Sequence, residues 1–315
     1  MITLSDVQLA RERIQDITKM TPIFTSEQLD AVCENELFLK AEHLQTTGSF
    51  KIRGATNKVK QAIKEGARFI TAASSGNHGQ AVAYIATHLG VPARIVVPED
   101  ASLCKIEAIE TYNGTIEKCG TTSAERIPRA IALAKEKDGV FIPPYDDPLI
   151  MAGQGTVGLE ILEQVKDVDV VVVPVGGGGL ISGVLTAVKE SNPAVRVVGV
   201  EPESANDTYL SLEQNRIVRI PATATIADGL RTSQPGDLTF PVLQRYLDDL
   251  VLINEDEIRT ALRFVFERMK QVVEPSSAVT IAAVMTGKLG VKGNKVVCVM
   301  SGGNVDVEKL PKLIG

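Results

Sequence analysis

Near its N-terminus the chain carries the stretch Gln45-Thr46-Thr47-Gly48-Ser49-Phe50-Lys51-Ile52-Arg53-Gly54-Ala55. It predicts a loop that turns into a helix, with Gly48 in the turn and Ser49 as the N-cap. Lys51 then lies in the first helical turn, where the positive end of the helix dipole disfavours a charged ammonium group. A neutral lysine can attack a carbonyl and form a Schiff base, so Lys51 is a candidate nucleophile, although most lysines are simply solvated.

The composition excludes several classes of function. The 315 residues suit one large or two modest domains, and 44% apolar residues are enough for a substantial core. The net charge of −6 argues against nucleic acid and anionic membranes as partners. No apolar run approaches about 20 residues, and the opening residues do not form a signal peptide, so we expect no membrane association and a cytoplasmic location. The four cysteines are Cys33, Cys104, Cys119 and Cys298. They are far apart in the chain, which predicts free thiols rather than disulfides or a zinc site.

Short apolar strands alternate with helices along most of the chain. Strands are predicted at 36–40, 69–73, 93–97, 115–119, 169–174, 195–200, 250–253 and 295–300. Helices are predicted from a capping box at Ser5 and Gln8, from the lysine loop to Gly66, and at 80–90, 105–112, 129–137, 150–164, 180–190 and 256–269. This alternation predicts an α/β protein with two doubly wound domains built on parallel or mixed sheets. The clearest linker is 141–148.

A run of four glycines, Gly176-Gly177-Gly178-Gly179, separates a buried strand from a helix. Their backbone N–H groups can approach a phosphate closely, and the helix start favours negative charge. A tight turn alone would need only one or two glycines. A competing interpretation is a nicotinamide dinucleotide site with Glu201 at the end of the next strand. The strict GxGxxG pattern fails, because its sixth position would be Ile181 or Ser182.

Two further polar segments follow predicted strands. Ser74-Ser75-Gly76-Asn77-His78-Gly79 is a second helix start that suits an anion such as a carboxylate, although such turns often only cap helices. Ser301-Gly302-Gly303-Asn304 lies at the carboxyl edge of a sheet, where ligands bind in such folds, and Asn304 is expected to support its own turn.

An acidic segment, Glu201-Pro202-Glu203-Ser204-Ala205-Asn206-Asp207, follows the strand at 195–200. Two carboxylates and a backbone carbonyl are hard oxygen ligands for Mg²⁺ or Ca²⁺. A solvated loop is the alternative interpretation.

The segment Thr47-Gly48-Ser49-Phe50-Lys51-Ile52-Arg53-Gly54-Ala55 resembles the pyridoxal-phosphate (PLP) lysine motif of the serine/threonine dehydratase and serine racemase family. The resemblance covers about Leu4 to Asp306, with the other motifs in the same order. It implies PLP fold type II (tryptophan synthase β-like), with a large domain of 1–62 plus 148–315 and a small domain of 63–147. It also implies a homodimer, and a short form without the family's regulatory domain.

The resemblance assigns roles to individual residues. It makes Lys51 and Ser75 the catalytic pair, on opposite faces of the substrate Cα. The cofactor-binding residues would be Phe50, Lys51, Asn77, Gly176, Gly177, Gly178, Gly179, Glu274 and Ser301. The substrate-binding residues would be Ser74, Ser75, Asn77, His78, Arg126 and Asp228. The divalent cation would be held by Glu201, Ala205 and Asp207.

The activity implied by the resemblance is PLP-dependent β-elimination, which converts the amino-acid substrates L-threonine or L-serine to a 2-oxo acid and ammonia. Two alternatives remain open, a serine racemase with side dehydratase activity and a threo-3-hydroxyaspartate dehydratase. The segment from Arg231 to Leu238 looks dehydratase-like, whereas Glu274-Pro275-Ser276 looks racemase-like.

Overall fold

The structure, a computed structural model, describes residues 1–101 and 103–315, with every side chain in those ranges except that of Cys104. The strands are β1 Ile23–Phe24, β2 Glu36–Ala41, β3 Ile70–Ala73, β4 Ala93–Val97, β5 Thr115–Lys118, β6 Val140–Phe141, β7 Val170–Pro174, β8 Arg196–Pro202, β9 Asp249–Ile253 and β10 Lys295–Met300. The helices are α1 Leu4–Ile14, α2 Glu27–Cys33, α3 Lys51–Lys64, α4 Asn77–His88, α5 Leu103–Thr111, α6 Ser123–Glu136, α7 Pro148–Gln164, α8 Gly179–Ser191, α9 Asp207–Glu213, α10 Phe240–Tyr246, α11 Glu255–Phe264, α12 Pro275–Met285 and α13 Leu310–Ile314. A π-helical turn, Val265–Met269, extends α11.

The larger sheet has six strands in the order β1-β2-β10-β7-β8-β9. Among the described strands, β1 and β2 pair antiparallel and the other neighbours pair parallel. The side chains of β7 alternate between the two faces: Val170 and Val172 join one apolar cluster, and Val171 and Val173 join the other. Both faces of this sheet are therefore covered by helices, which explains the uninterrupted run of valines in the sequence.

The smaller sheet is parallel, with the order β5-β4-β3-β6. One face packs on α4, where Ile70 and Ile95 meet Ala81. On the other face Val96 packs against Leu133 of α6. Both sheets are thus doubly wound, and the predicted α/β class is confirmed. The proposed domain limits stay a prediction. The boundary after residue 62 would fall within the last turn of α3.

Three predicted helix starts are wrong. The first helix is capped by Thr3, whose box closes with Asp6 rather than running from Ser5 to Gln8. Helix α3 is preceded by Phe50 without a side-chain cap, because Ser49 pairs through its backbone with Gly302 and its buried hydroxyl has no hydrogen-bond partner among the described residues. Helix α6 starts earlier than expected, at a capping box that uses Thr122 and Glu125.

A buried charge network fixes the position of α3. Arg53 donates hydrogen bonds to Glu42 at 2.7 Å and to Glu160 at 2.7 and 2.9 Å. Lys40 donates to Glu160 at 2.5 Å and to the carbonyl of Thr21 at 2.8 Å. All four charged side chains are buried, and two acids balance two bases. The network joins α3 to β2, to the turn that follows β2, and to α7.

The backbones of α3, α7 and α8 touch through a glycine seam formed by Gly54, Gly153, Gly155 and Gly183. A Cβ atom on Gly153 would lie 2.6 Å from the Cα of Gly54. A Cβ on Gly183 would lie 2.4 Å from the amide nitrogen of Gly155. The lysine helix and the helix after the four glycines therefore both pack on α7 without intervening side chains.

The helices of the described part of the chain include none with the length and apolar character needed to cross a bilayer. The thiols of Cys33, Cys119 and Cys298 are free, as expected. The side chain of Cys104 lies outside the described part.

We predict that Glu160→Gln lowers the free energy of unfolding by about 3 kcal/mol or more, because it leaves buried positive charge without its partner. The matched control is Glu163→Gln on the same helix, which removes the half-exposed pair with Arg11 and should cost less than about 1 kcal/mol. Urea unfolding curves of both variants and the wild type provide the measurement. Equal losses in the two variants would contradict a special role for the buried network.

Candidate active site

A cavity of about 290 Å³ opens between the two sheets. Its walls come from the first residues of α3 and from the segments that follow β3, β7 and β10, which is the carboxyl edge where ligands bind in doubly wound folds. The predicted catalytic, cofactor-binding and substrate-binding residues all line it, namely Phe50, Lys51, Ser74, Ser75, Asn77, His78, Arg126, Gly176, Gly177, Gly178, Gly179, Asp228, Glu274 and Ser301. The predicted cation ligands are not among its lining residues.

Lys51 is the first residue of α3, and its amine reaches across the cavity. Its Nζ donates a hydrogen bond to the carbonyl oxygen of Pro144 at 2.7 Å. Its pKa is lowered to about 8, mainly because burial disfavours the charged form, while the nearby Glu274 carboxylate acts in the opposite direction. The direction agrees with the sequence-based expectation, and burial is its main cause.

The four glycines form the turn that starts α8. Gly178 occupies the N-cap position with φ of +90°, a conformation that favours glycine, and no described side chain caps this helix. The first N–H groups of an α-helix have no acceptor within the helix. At Gly177 a Cβ atom would lie 2.5 Å from the ring of Tyr145, so a side chain there would collide with it. The turn thus presents uncapped backbone donors beside Lys51, which suits a phosphate.

Asn77, Glu274 and Asn304 form a polar chain across the cavity. The Asn77 amide donates to both Glu274 carboxylate oxygens, at 2.9 and 3.0 Å. The pKa of Glu274 is raised to about 7, chiefly by burial and secondarily by the charge of Asp228. Asn304 donates to the carbonyl of Thr47 at 2.9 Å and to Asn77 at 2.8 Å, so it joins the lysine loop to α4 rather than only supporting its own turn.

Ser301 is buried at the end of β10, beside Ser277. The Ser277 hydroxyl donates to the Gly302 carbonyl at 2.6 Å, which uses its only proton. The 3.2 Å contact between the two hydroxyls is therefore a bond donated by Ser301. Ser301 thus carries an orientable donor at the wall of the cavity.

His78 is buried, and its Nε2 lies 2.9 Å from the carbonyl oxygen of Ile142. Because a carbonyl can only accept, Nε2 carries the proton and Nδ1 does not. Its pKa is lowered to about 3 by burial first and by the Lys51 charge second. His78 therefore stays neutral and cannot act as a general acid near pH 7.

Arg126 and Asp228 both line the cavity. Arg126 is half-buried, and its Nε and Nη1 atoms find no hydrogen-bond partner in the described part of the chain. The exposed Asp228 forms an ion pair with Lys105 at 2.9 Å, which joins the α5 side of the mouth to the segment before α10. The cavity wall therefore contains a guanidinium group whose Nε and Nη1 are buried and unpartnered among the described residues, while its Nη2 donates to Ser123.

The predicted cation ligands lie apart from the cavity wall. Glu201 and Asp207 are both buried, and Glu201 accepts backbone hydrogen bonds from Thr208 and Tyr209 at 3.1 and 2.9 Å. Burial, reinforced by the charge of Asp207, raises the pKa of Glu201 well above its usual range, and burial raises that of Asp207 to about 7. Ala205 lies in the short 3₁₀ turn between them. Among the described side chains no three His, Cys, Asp or Glu groups converge as metal ligands.

Sequence reasoning missed several residues of the site. Pro144 supplies the acceptor for Lys51, Tyr145 lies over the glycine turn, and Ser277 orients Ser301. The first two lie in the segment that was interpreted only as a linker. Its paired prolines, which stiffen a chain, were the available signal that this segment has a fixed position.

Comparison with known proteins agrees with this geometry. Residues 14–302 match the model of a family described as pyridoxal-phosphate dependent enzyme. An L-threonine ammonia-lyase of Thermotoga maritima is 44% identical over 100% of this chain and 78% of its own length. A serine racemase of Dictyostelium discoideum is 41% identical over 99% of this chain and 98% of its own. The solved structure of maize serine racemase superposes with a TM-score of 0.95 at 36% identity, covering 99% of this chain and 96% of that one.

The fold and the site thus define an enzyme that works with pyridoxal phosphate. The chain belongs to the family of pyridoxal-phosphate dependent enzymes, and the expected fold type is confirmed by its structural relatives. The residues present fit the cofactor, because a half-buried amine of lowered pKa shares a cavity with an uncapped glycine turn and a serine donor.

We predict that the Lys51 amine reacts with aldehydes as a group of pKa about 8 in the cofactor-free protein. Only the neutral amine is nucleophilic, so the rate should rise about tenfold per pH unit below 8 and level off above it. Timed reductive methylation with quantification of the Lys51 peptide measures this. In denaturant the same peptide should keep gaining reactivity towards about pH 10, as an ordinary lysine does. A folded-state rate that still rises steeply above pH 9 would contradict the lowered pKa.

Proposed function

We propose that this protein is a PLP-dependent ammonia-lyase that dehydrates and deaminates L-threonine or L-serine to the 2-oxo acid and ammonia. The observation that carries the proposal is a half-buried Lys51 amine of pKa about 8, in one cavity with an uncapped glycine turn and two serine-bearing loops. A threonine ammonia-lyase at 44% identity and a threonine deaminase structure at 43% support this activity.

The cofactor would be held by this chain at three points. Lys51 would carry it, the N–H groups from Gly176 to Gly179 would bind its phosphate, and the Ser301 hydroxyl would face its ring nitrogen. When bound, the cofactor supplies an electron-withdrawing ring that acidifies the Cα–H bond of an attached amino acid. A serine at the ring nitrogen, rather than an acid, leaves that nitrogen largely neutral, which suits elimination more than transamination.

The substrate carboxylate would bind at the start of α4. This helix starts at Asn77 after the N-cap residue Gly76, which has no side chain to cap it, and the N–H of Gly76 itself donates to the Ser74 hydroxyl at 3.2 Å. The N–H groups there and the hydroxyls of Ser74 and Ser75 converge on the cavity. Binding there would fix the substrate's orientation relative to Lys51.

Lys51 would move the proton. Once the substrate amine has displaced Lys51 from the cofactor, a neutral Nζ would accept the Cα proton, and the β-hydroxyl group would gain a proton and leave as water. A pKa of about 8 lies close enough to neutral pH for this role. The carbonyl of Pro144, 2.7 Å from Nζ, holds the amine in place. The neutral His78 adds no competing charge.

The experiment described below determines which of L-threonine, L-serine and 3-hydroxyaspartate is the preferred substrate. It also determines whether the enzyme racemises serine. Racemisation needs a second group that returns a proton from the opposite face, and Ser75 is the proposed group there. A serine hydroxyl is a weak base unless a neighbour activates it. We therefore place dehydration first and racemisation second. The homodimer implied by the resemblance and the cytoplasmic location expected from the sequence stay predictions.

We predict that Ser75→Ala keeps L-serine and L-threonine dehydration within about tenfold of wild type, because that reaction uses only the Lys51 face. The same variant should lose all formation and dehydration of D-serine. Chiral chromatography of products from L-serine, L-threonine, D-serine and L-threo-3-hydroxyaspartate is the measurement. Equal loss of the L- and D-reactions would assign Ser75 to binding instead. A wild type that makes D-serine faster than pyruvate would make serine racemase the first choice.

We further propose that Glu201, Asp207 and the backbone carbonyl of Ala205 bind Mg²⁺ or Ca²⁺. The supporting observation is two buried carboxylates close enough for the charge of one to raise the pKa of the other, with hydrogen bonds from backbone N–H groups and the Thr232 hydroxyl rather than an ion pair among the described residues. Such a pair needs a proton or a cation to offset its charge.

For this site, we predict that chelation lowers the melting temperature of wild type by a few degrees, roughly the effect of 1 kcal/mol or more in a protein of this size. Asp207→Ala should lose that sensitivity, whereas Asp249→Ala, which removes a half-exposed partner of Arg196, should keep it. Calorimetry with added Mg²⁺, Ca²⁺ or chelator makes the comparison. A wild type indifferent to chelator, with no bound ion by elemental analysis, would leave these acids as a protonated buried pair.

A further inference from the structure

One carboxylate outside the predicted site holds a loop that supports the glycine turn. Asp146 accepts hydrogen bonds from the backbone N–H groups of Asp237 at 3.1 Å and Leu238 at 2.8 Å. Asp146 follows Tyr145 in the chain, so it belongs to the segment that borders the cavity and whose Pro144 carbonyl accepts the Lys51 hydrogen bond. The two bonds attach the 236–239 loop to that segment.

The 236–239 loop in turn holds the glycine turn. The buried Thr239 donates through its hydroxyl to the carbonyl of Gly177 at 2.8 Å, and the N–H of Gly236 lies 3.3 Å from the same oxygen. The hydroxyl also accepts from the N–H of Gly236 at 2.9 Å, which orients it. A Cβ atom on Gly178 would lie 2.7 Å from this hydroxyl, so the contact is close.

The direction of the Gly177 carbonyl fixes the next peptide plane, because the C=O of one residue and the N–H of the following residue belong to the same planar group. Holding this oxygen towards Thr239 therefore turns the N–H of Gly178 to the opposite side of the plane. A glycine-rich turn without side chains has many accessible conformations and loses much entropy when it binds an anion. A carboxylate that holds the supporting loop removes part of that cost in advance.

We propose that Asp146 is a positioning residue for the phosphate-binding turn and acts through Thr239 and Gly177. The inference rests on the proposed function in one respect, namely that the glycine turn binds the phosphate of the cofactor. It adds that the turn is held in its binding conformation by the 144–146 segment. Asp146 touches neither cofactor nor substrate in this role.

The test compares PLP with pyridoxal, which has the same aldehyde and ring but no phosphate. Affinities of cofactor-free wild type and Asp146→Asn for both compounds are measured by absorbance titration. Asparagine has the same shape, but its amide group would face one of the two N–H donors. We expect PLP to bind about tenfold more weakly to the variant, the size of a lost charge-assisted hydrogen bond, with pyridoxal binding unchanged.

Two further variants complete the design. Thr239→Val removes the hydroxyl at nearly constant volume and should reproduce the selective loss, which also tests the inference if Asp146→Asn does not fold. Asp169→Asn is the control, because Asp169 also accepts a backbone bond, from Lys295 at 2.8 Å, where β7 and β10 start at the opposite edge of the sheet. It should change neither affinity.

The outcomes separate the two proposals. A wild type that prefers PLP, together with Asp146→Asn and Thr239→Val variants that lose only that preference, supports the role of Asp146. If the variants lose affinity for both compounds equally, or for neither, Asp146 is not a positioning residue for the turn, while the phosphate site itself stands. If wild type binds PLP and pyridoxal equally well, the phosphate assignment of the glycine turn fails.

Discussion

The buried network of Arg53, Glu42, Glu160 and Lys40 is the interaction on which the site depends. Burying a charge is strongly unfavourable unless partners satisfy it, and here each carboxylate has a cationic partner in close contact. Arg53 is two residues from Lys51, so the bonds that hold Arg53 also set where the first turn of α3 lies. Glu160 belongs to α7 and Glu42 follows β2. The lysine is therefore positioned by two elements that are far apart in the chain. The reactive amine is thus placed by charges that never enter the cavity.

Burial acts in the same sense on three titratable groups of the cavity, Lys51, His78 and Glu274. It lowers the pKa values of Lys51 and His78 and raises that of Glu274, so every one of them moves towards its neutral form. With a pKa of about 8 the Lys51 amine is still mostly protonated at pH 7, and its neutral fraction grows as the pH rises. Positive potential is also supplied by backbone N–H groups at two helix starts and by Arg126 in the cavity wall. Such an arrangement attracts anionic groups and leaves proton transfer to an amine that changes its charge easily.

The sequence predicts the local features of this fold well and the distant contacts poorly. The valine run of β7, the glycine turn and the first-turn position of Lys51 depend on neighbouring residues, and the structure has them as expected. The caps at Ser5 and Ser49 were wrong because Thr3 and the pairing of Ser49 with Gly302 compete with them. The sequence gives no signal for contacts such as Asn304 with Asn77, because these residues are far apart in the chain and each could equally face water. Sequence motifs predict the residues that line the cavity. The residues that hold them in place, such as Pro144 and Ser277, are identified only by their contacts in the fold.

The glycine seam has a consequence for any mutational scan of this protein. Gly54, Gly153, Gly155 and Gly183 touch nothing reactive, yet a methyl group at each would meet a neighbouring helix or side chain at 2.9 Å or less. A selection for activity would find these four positions as intolerant of substitution as Lys51. A map of the intolerant positions would then extend from the cavity into the contacts among α3, α7 and α8. Fitness data alone would then make the active site look far larger than the cavity. Only a parallel measurement of protein abundance would separate the residues that do chemistry from those that let three helices pack closely.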